Sequence, residues 1–395
     1  MKKTTFPILR SILDTDAYKI HMQQVIFFKY NTVHVVSKFI CRDNNRLGRY
    51  KNILIEQIQM MSNISLTHEE YVYLLSFPYF KLEYLNWLKD FRFNVSQVKI
   101  NNYRNELHII VTGLWKEVIL WEVPILSLVS EIVNRDRYPH VDEIVATNYL
   151  NRKLLDFYQQ YQNIDLLKLK IIDFGTRRRF SYNVHMSVIY QLKKKLTCFS
   201  GTSNYHFARM FDLTPVGTQS HEWFQAHQQI SPILSDSQKL ALYVWVNFYH
   251  DYLNIALTDC ITMDVFLQDF QYQLARKYKG IRHDSGDPVI WGEKAIHHYR
   301  KLGIDPLKKI LLFSDNLNFK KIIYLYKRFL NRSQLVFGLG TNLTCDIPNV
   351  KALNIVLKLV LCNDKPVAKI SDCLGKTFCL DESYITSLKQ AYNLC

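Results

Sequence analysis

From about residue 165 onward the chain repeats one pattern: a short apolar run, a polar loop, then a segment of helical period. Lys168–Phe174 (KLKIIDF), Leu213–Gly217, Asn254–Asp259, Lys309–Ser314 (KILLFS) and Gln334–Gly338 are expected as strands. Between them Tyr182–Leu196, His221–Gln229, Ser237–Phe248, Thr262–Lys277 and Leu317–Phe329 carry apolar residues at helical spacing. Strands that alternate with helices in this way run parallel and are joined by crossover helices. This is the constraint that most narrows the fold: a central α/β unit. The first 140 residues differ, with amphipathic helices at Asp16–Tyr30 and His68–Phe77 and one clear strand, Glu106–Thr112. After Asp346 strand-like alternation returns at Leu353–Cys362 and Pro366–Ser371. The expected organisation is therefore an N-terminal α+β domain, 1–140, joined by 347–395, beside an α/β domain, 141–346.

The polar residues fall where such a fold does chemistry, at the carboxyl ends of the strands. Asp173–Arg179 (DFGTRRR) follows the first strand, and Thr218-Gln219-Ser220-His221 follows LTPVG. Asp259 ends IALTD, Ser314-Asp315-Asn316 ends LLFSDN, and Gly340-Thr341-Asn342 ends FGLGTN. Arg282–Asp287 (RHDSGD) forms a further polar loop after the segment Thr262–Lys277. Turn residues alone explain any one of these loops. They do not explain all six, because Arg177–Arg179, Arg282 and His221 are not turn formers. The arginines, the glycine amides and the hydroxyls of Thr176, Thr218 and Thr341 suit phosphate oxygens. Asp259, Asp284, Asp287 and Asp315 suit Mg²⁺ held through water. Neither GxxxxGK[ST] nor GxGxxG occurs, which argues against P-loop and Rossmann nucleotide sites.

His221 and His227 in HEWFQAH are six residues apart, not the four of HExxH, so a zincin is excluded. His221 instead opens a helix, with Thr218 or Ser220 as its cap, and a helix N-terminus attracts anions. The alternative for a lone histidine is a structural hydrogen bonder.

Composition settles the remaining classes. The 395 residues suit two or three domains, and 48% hydrophobic with 22% charged residues is globular. Eight scattered cysteines without a CxxC pair fit free thiols in a reducing compartment, and the cytoplasm is the expected location. Lys2 and Lys3 are followed by no apolar h-region, so no signal peptide is expected. The segment Leu114–Val133 is interrupted by Lys116, Glu117, Glu122, Pro124 and Glu131, which makes it a buried helix rather than a membrane span. The net charge of +15 leaves open nucleic acid, an anionic small molecule, or codon bias behind the abundant Lys, Ile, Asn, Tyr and Phe. With no RNP, zinc-finger or helix-turn-helix signature, no nucleic-acid partner is expected.

Eight segments together resemble the nicotinate phosphoribosyltransferase family, bacterial branch. They are Leu13–Gln24, Asp173–Ser181, Gly201–Arg209, Leu213–Pro232, Ile255–Phe266, Gly280–Pro288, Leu311–Phe319 and Phe337–Pro348. The resemblance implies a type II phosphoribosyltransferase fold, an irregular α/β barrel beside an α+β domain. It implies formation of nicotinate mononucleotide and pyrophosphate from nicotinate and phosphoribosyl pyrophosphate, coupled to ATP hydrolysis, with Mg²⁺. By the same resemblance His221 is the histidine phosphorylated by ATP. Tyr18 and Phe174 stack on the pyridine ring, and Arg282 and Thr218 hold the nicotinate carboxylate. Arg177, Thr341 and Gly340 bind the phosphoribosyl donor, and Asp284 and Asp315 are metal candidates through water. In related enzymes the aromatic at the position of Tyr18 reaches the ring from a neighbouring subunit, so a homodimer with shared sites is expected. Cys345 stands where the family leads us to expect Asn, and Cys373-Leu374 where it leads us to expect Ser-Pro. Two rivals stand beside this reading: a nicotinamide-using enzyme, against which the neutral Ser203 argues, and a basic RNA-binding protein that has lost catalysis.

Overall fold

A computed structural model describes residues 6–43, 46–162, 164–372 and 377–394; Cys373-Leu374 lies outside them. The chain divides into two compact units.

Unit 1 takes Met1–Asn31, Ser37–Val216 and Leu339–Lys358. Its first helix, Ala17–Lys29, is buried from Ala17 to Ile26. The helix Glu122–Arg137 is buried from Val123 to Asn134; Pro124 falls in its first turn, where no amide bond is lost, and Arg135 and Arg137 meet the negative end of its dipole. The run expected as a single buried helix begins as two short ones, Trp115–Val118 and Ile119–Trp121. Val98–Tyr103 and Glu106–Leu114 form an antiparallel hairpin with Tyr103 opposite Glu106. Arg104 and Asn105 both have positive φ there (49° and 64°), the backbone of a two-residue turn that follows strand twist. Ile171–Asp173 pairs in parallel with Phe199–Thr202, placing Asp173 opposite Thr202. The expected strand Leu213–Gly217 is reduced to a bridge between Thr202 and Pro215, because proline has no amide to extend the ladder.

Unit 2 takes Thr32–Val36, Gly217–Gly338 and Leu359–Cys395. Its parallel strands are Ile255–Leu257, Gly280–His283, Ile310–Phe313 and Gln334–Leu339, the last ending at the unit boundary. Leu257 stands opposite Arg282, and His283 opposite Phe313, which stands opposite Phe337. Helices connect them, each with a chemical start signal. Thr262 accepts from the Val265 amide, Asn318 from Lys321, and Asp287 from Val289 and Ile290 with Pro288 in the first turn. The segment expected as one helix over Thr262–Lys277 is two, Met263–Asp269 and Tyr272–Lys277. The break lets Phe270 turn wholly inward and stack on Phe266 at 4.7 Å. Arg282, expected in a loop, lies on the strand Gly280–His283. That strand begins with a glycine because a Cβ there would meet the Ile310 carbonyl at 2.2 Å.

These units do not follow the expected boundaries at 140 and 347. Residues 141–216 group with the N-terminal residues, held there by contacts such as the Asp14–Arg179 ion pair. The segment after Leu359 groups with 217–338 because Gln228 clamps the Ala368 peptide at both ends, at 2.8 and 2.9 Å. The class itself, parallel strands with helices plus an antiparallel part, is the α/β class expected. No helix among the described residues is long and apolar enough to cross a membrane. The described cysteines 41, 198, 260, 345, 362 and 379 are free thiols.

Candidate active-site residues

Unit 2 gathers four of the expected residues, Thr218, His221, Arg282 and Asp284. His221 is the first residue of the helix His221–Ile230. Ser220 holds the N-cap position without a side-chain cap bond, and the Thr218 hydroxyl instead donates to the Ile255 carbonyl at 2.6 Å, so neither caps as expected. Arg282 donates through Nη2 to the Gln219 carbonyl at 3.2 Å, which ties the strand end to the Thr218–His221 turn. His221 Nε2 lies 3.0 Å from Asp259 Oδ1 and 3.8 Å from Asp284 Oδ2. Ser285 donates to Asp259 Oδ2 at 2.6 Å, and Ser314 to Asp284 Oδ1 at 2.9 Å. Asp315 follows Ser314 at the same strand end.

The centre of this cluster is a residue the sequence reading missed. The Lys369 ammonium donates to His221 Nε2 at 2.8 Å and to Asp259 Oδ2 at 2.9 Å. Lys369 is 148 residues from His221 in sequence. Its one sequence signal is a lone charge inside the apolar run Val367–Ile370. Burial alone would lower the Lys369 pKa, but Asp259 and Asp284 raise it above the ordinary value, so the ammonium persists. Burial, then Lys369, push His221 below its ordinary value, against the pull of Asp259 and Asp284. Burial would raise Asp259; the His221 ring, the ammonium and the Ser285 hydroxyl hold it well below the carboxylate range. The donor atoms of His221, Asp259 and Asp284 lie within 4.8 Å of one another, a spacing a metal ion accepts. Here the cluster already contains a cation, Lys369.

Unit 1 gathers Tyr18, Phe174, Arg177, Gly340 and Thr341. Ser203 joins the first two. Its carbonyl accepts from the Ala17 amide at 2.6 Å, and its own amide donates to the Asp173 carbonyl at 2.8 Å. Its hydroxyl donates to Asp16 at 2.6 Å. Ala17 precedes Tyr18 and Asp173 precedes Phe174, so Ser203 bonds the backbone leading into each of them. Tyr18 is only 6% exposed, with the Lys19 ammonium 5.8 Å from its ring centre. The Phe174 amide donates to the Leu339 carbonyl at 2.6 Å, which brings the strand end beside Gly340, the N-cap of the short helix Thr341–Thr344. A Cβ on Gly340 would stand 3.4 Å from the Phe174 carbonyl. Arg177 lies 3.5 Å from Asp16 and 3.6 Å from Glu122 and is partly exposed.

Two expected phosphate or metal groups, Arg179 and Asp287, are otherwise engaged. Arg179 is fully buried and makes a fork on Asp14, at 2.7 and 2.8 Å, so only Arg177 and Arg178 of the three arginines face outward in part. Asp287 is a helix cap. His227 donates through Nδ1 to the Trp223 carbonyl at 2.7 Å, and burial pulls its pKa down to about 4, the state of a neutral core histidine. Cys345 is buried, 3.9 Å from the Asn134 amide, where its thiol fills a structural position.

Comparison with known proteins agrees in both halves of the chain. The profile of the nicotinate phosphoribosyltransferase (NAPRTase) family matches residues 169–395, and that of its N-terminal domain matches 13–130. A nicotinate phosphoribosyltransferase of Buchnera aphidicola subsp. Schizaphis graminum is 61% identical over 394 residues, covering 100% of this chain and 99% of that protein. One from Proteus mirabilis is 56% identical over 392 residues, covering 98% and 97%. The crystal structure of a nicotinate phosphoribosyltransferase from Vibrio cholerae superposes with a TM-score of 0.95 at 38% identity, over 99% of this chain and 95% of that one. The match of both profiles, the identity along the whole length and the shared fold place the chain in the nicotinate phosphoribosyltransferase family.

Proposed function

We propose that this chain transfers a phosphoribosyl group to nicotinate, releasing nicotinate mononucleotide and pyrophosphate, and couples this to ATP through a phosphorylated His221. The family supports the transfer. The observation that carries the coupling is the His221 ring at a helix start, its Nε2 2.8 Å from an ammonium and 3.0 Å from a carboxylate rather than bonded to a backbone group.

In the transfer, the pyridine nitrogen of nicotinate is the nucleophile and needs no base. Displacement at the anomeric carbon passes through an oxocarbenium-like state, so the protein positions and neutralises rather than attacks. Phe174 and Tyr18 are assigned to the ring, Arg282 and Thr218 to the carboxylate, and Arg177, Gly340 and Thr341 to the donor. Mg²⁺ is assigned to the phosphates of the nucleotide and the donor, where it offsets charge. Asp284 and Asp315 are assigned to the ion's water shell, with Ser314 donating to Asp284 Oδ1. Nicotinamide is the poorer fit: Ser203 is uncharged, and its hydroxyl is committed to Asp16. The intact His221–Asp259–Lys369 cluster argues against a chain that has lost catalysis. Free cysteines fit a reducing, cytoplasmic setting.

Arg282→Ala is expected to raise the nicotinate KM sharply with the donor KM nearly unchanged. Truncating one partner of a buried charge pair costs about 2–5 kcal/mol. The variant also discriminates less against nicotinamide in competition assays. A rise in donor KM alone would instead put Arg282 in the phosphate site.

A homodimer with two shared sites belongs to the same proposal, Tyr18 reaching the ring from the neighbouring subunit. Co-folding Tyr18→Ala chains with His221→Ala chains is expected to return activity toward a quarter of wild type, because mixed dimers then hold one site with both lesions and one with neither. Activity no higher than the average of the two parents would put Tyr18 in its own chain's site.

A further inference from the structure

Lys369 has a backbone held by hydrogen bonds of its own segment and an ammonium held by His221 and Asp259. The Ala368 peptide is clamped by Gln228, on the same helix as His221. Lys369 itself exchanges both backbone hydrogen bonds with Phe378 at 3.0 Å. The Ile370 amide donates to the Cys260 carbonyl at 2.9 Å, which registers Lys369 beside Asp259. Three of these five bonds hold the segment to the elements that carry His221 and Asp259. The ammonium beyond it is held only by polar contacts, at His221 Nε2 and Asp259 Oδ2. An ammonium is a donor with no acceptor, so its 2.8 Å bond to Nε2 uses the lone pair that phosphorylation requires. That bond is made in the tautomer with the ring proton on Nδ1; with the proton on Nε2 the ring donates instead to Asp259 Oδ1 at 3.0 Å, and phosphorylation draws on the first.

We propose that Lys369 is a catalytic residue for His221 phosphorylation, covering the Nε2 lone pair at rest and passing to a phosphoryl oxygen as the phosphorus–nitrogen bond forms. The proposal rests on the phosphohistidine reading above. In the step, the Nε2 pair attacks the terminal phosphorus of ATP and the bond from that phosphorus to the bridging oxygen breaks. The electron pair leaves on ADP, and the imidazole keeps its proton on Nδ1. Lys369 keeps its three protons throughout. Its hydrogen bond moves from nitrogen to oxygen while Asp259 retains the ammonium in place. The same lysine that blocks the nucleophile in the absence of phosphate thereby neutralises the group once it arrives, so His221 is shielded from other electrophiles until an anion draws the lysine off.

The test uses the full chain as wild type, Lys369→Ala and His221→Asn, with terminally labelled ATP and Mg²⁺. Acid-labile, base-stable label is followed in time with and without added ethylammonium. Removing one preorganised donor to a developing anion costs roughly 100-fold or more in rate, and a loss of about that size is expected for Lys369→Ala. Ethylammonium is expected to restore labelling in a saturable way, which repair of a merely structural defect would not produce. Labelling of Lys369→Ala at the wild-type rate overturns the proposal, and so does a loss that the amine leaves untouched. Absence of His221-dependent label in the wild type overturns the phosphohistidine reading itself, and is distinguishable because the lysine variant plays no part in it.

Discussion

A His221→Asn chain is expected to take up no phosphoryl group from ATP and to lose all stimulation by ATP, while retaining its fold and a slow, ATP-independent transfer. Asparagine can still accept from Lys369, so that hydrogen bond and the helix start are kept. What it lacks is a basic ring nitrogen. The residues assigned to nicotinate and to the donor are on other loops, which is why the two activities separate. The loss of label should be complete rather than graded, because no other side chain in the cluster is a neutral nitrogen nucleophile. The measurement is phosphoenzyme by acid-labile, base-stable label, run beside turnover with and without ATP. Label that persists in the variant would remove His221 from the mechanism.

The largest effect on stability is expected from Arg179→Met. Asp14 and Arg179 are both fully buried, and Asp14 also accepts from Asn204 at 2.8 Å. Burial alone would raise the Asp14 carboxyl, but the Arg179 guanidinium overrides it and holds it below its ordinary value of 3.8. Removing the arginine strands a carboxylate, and breaking a buried pair in this way costs about 3–5 kcal/mol. The sign with pH follows from the direction of the shift. In the wild type the pair's contribution is present above pH 3.8 and is lost as pH falls through the lower native value. In the variant the unpaired carboxyl titrates above its ordinary value, so its penalty is relieved as pH falls. The stability gap between the two proteins should therefore narrow from pH 7 toward pH 4 in urea unfolding. An Asp14→Asn, Arg179→Met double variant should recover part of the loss at neutral pH. A gap that widens on acidification would mean that Asp14 is not the stranded group.

That arginine also shows where sequence reasoning stops. Three consecutive arginines after a strand read as a phosphate cradle, and nothing local marks the third as the partner of an aspartate 165 residues earlier. Periodicity located His221–Ile230, Tyr182–Lys195 and the strands at 255, 310 and 334 well, because each carries its signal within a dozen residues. It missed Gly280–His283, four residues with a charge and a glycine, whose strand character comes from its neighbours at Leu257 and Leu312 rather than from itself. The site divides in the same way. Asp259, Arg282 and His221 announced themselves as polar residues at strand ends, whereas Lys369 did not, since its role depends on the backbone bonds that set it beside Asp259. Ser203 was noticed for its lack of charge, while its bonds to Ala17 and Asp173, beside Tyr18 and Phe174, became visible only in the structure.

The central claim is ATP-coupled transfer to nicotinate, and one assay addresses it directly. The purified full chain is incubated with labelled nicotinate, phosphoribosyl pyrophosphate and Mg²⁺, with and without ATP, and nicotinate mononucleotide and ADP are quantified together. The account predicts labelled mononucleotide in both reactions, faster and further toward completion with ATP, with ADP appearing only alongside it in excess of a single turnover. Product formed at the same rate and extent without ATP would contradict the coupling, and no product under either condition would contradict the account as a whole.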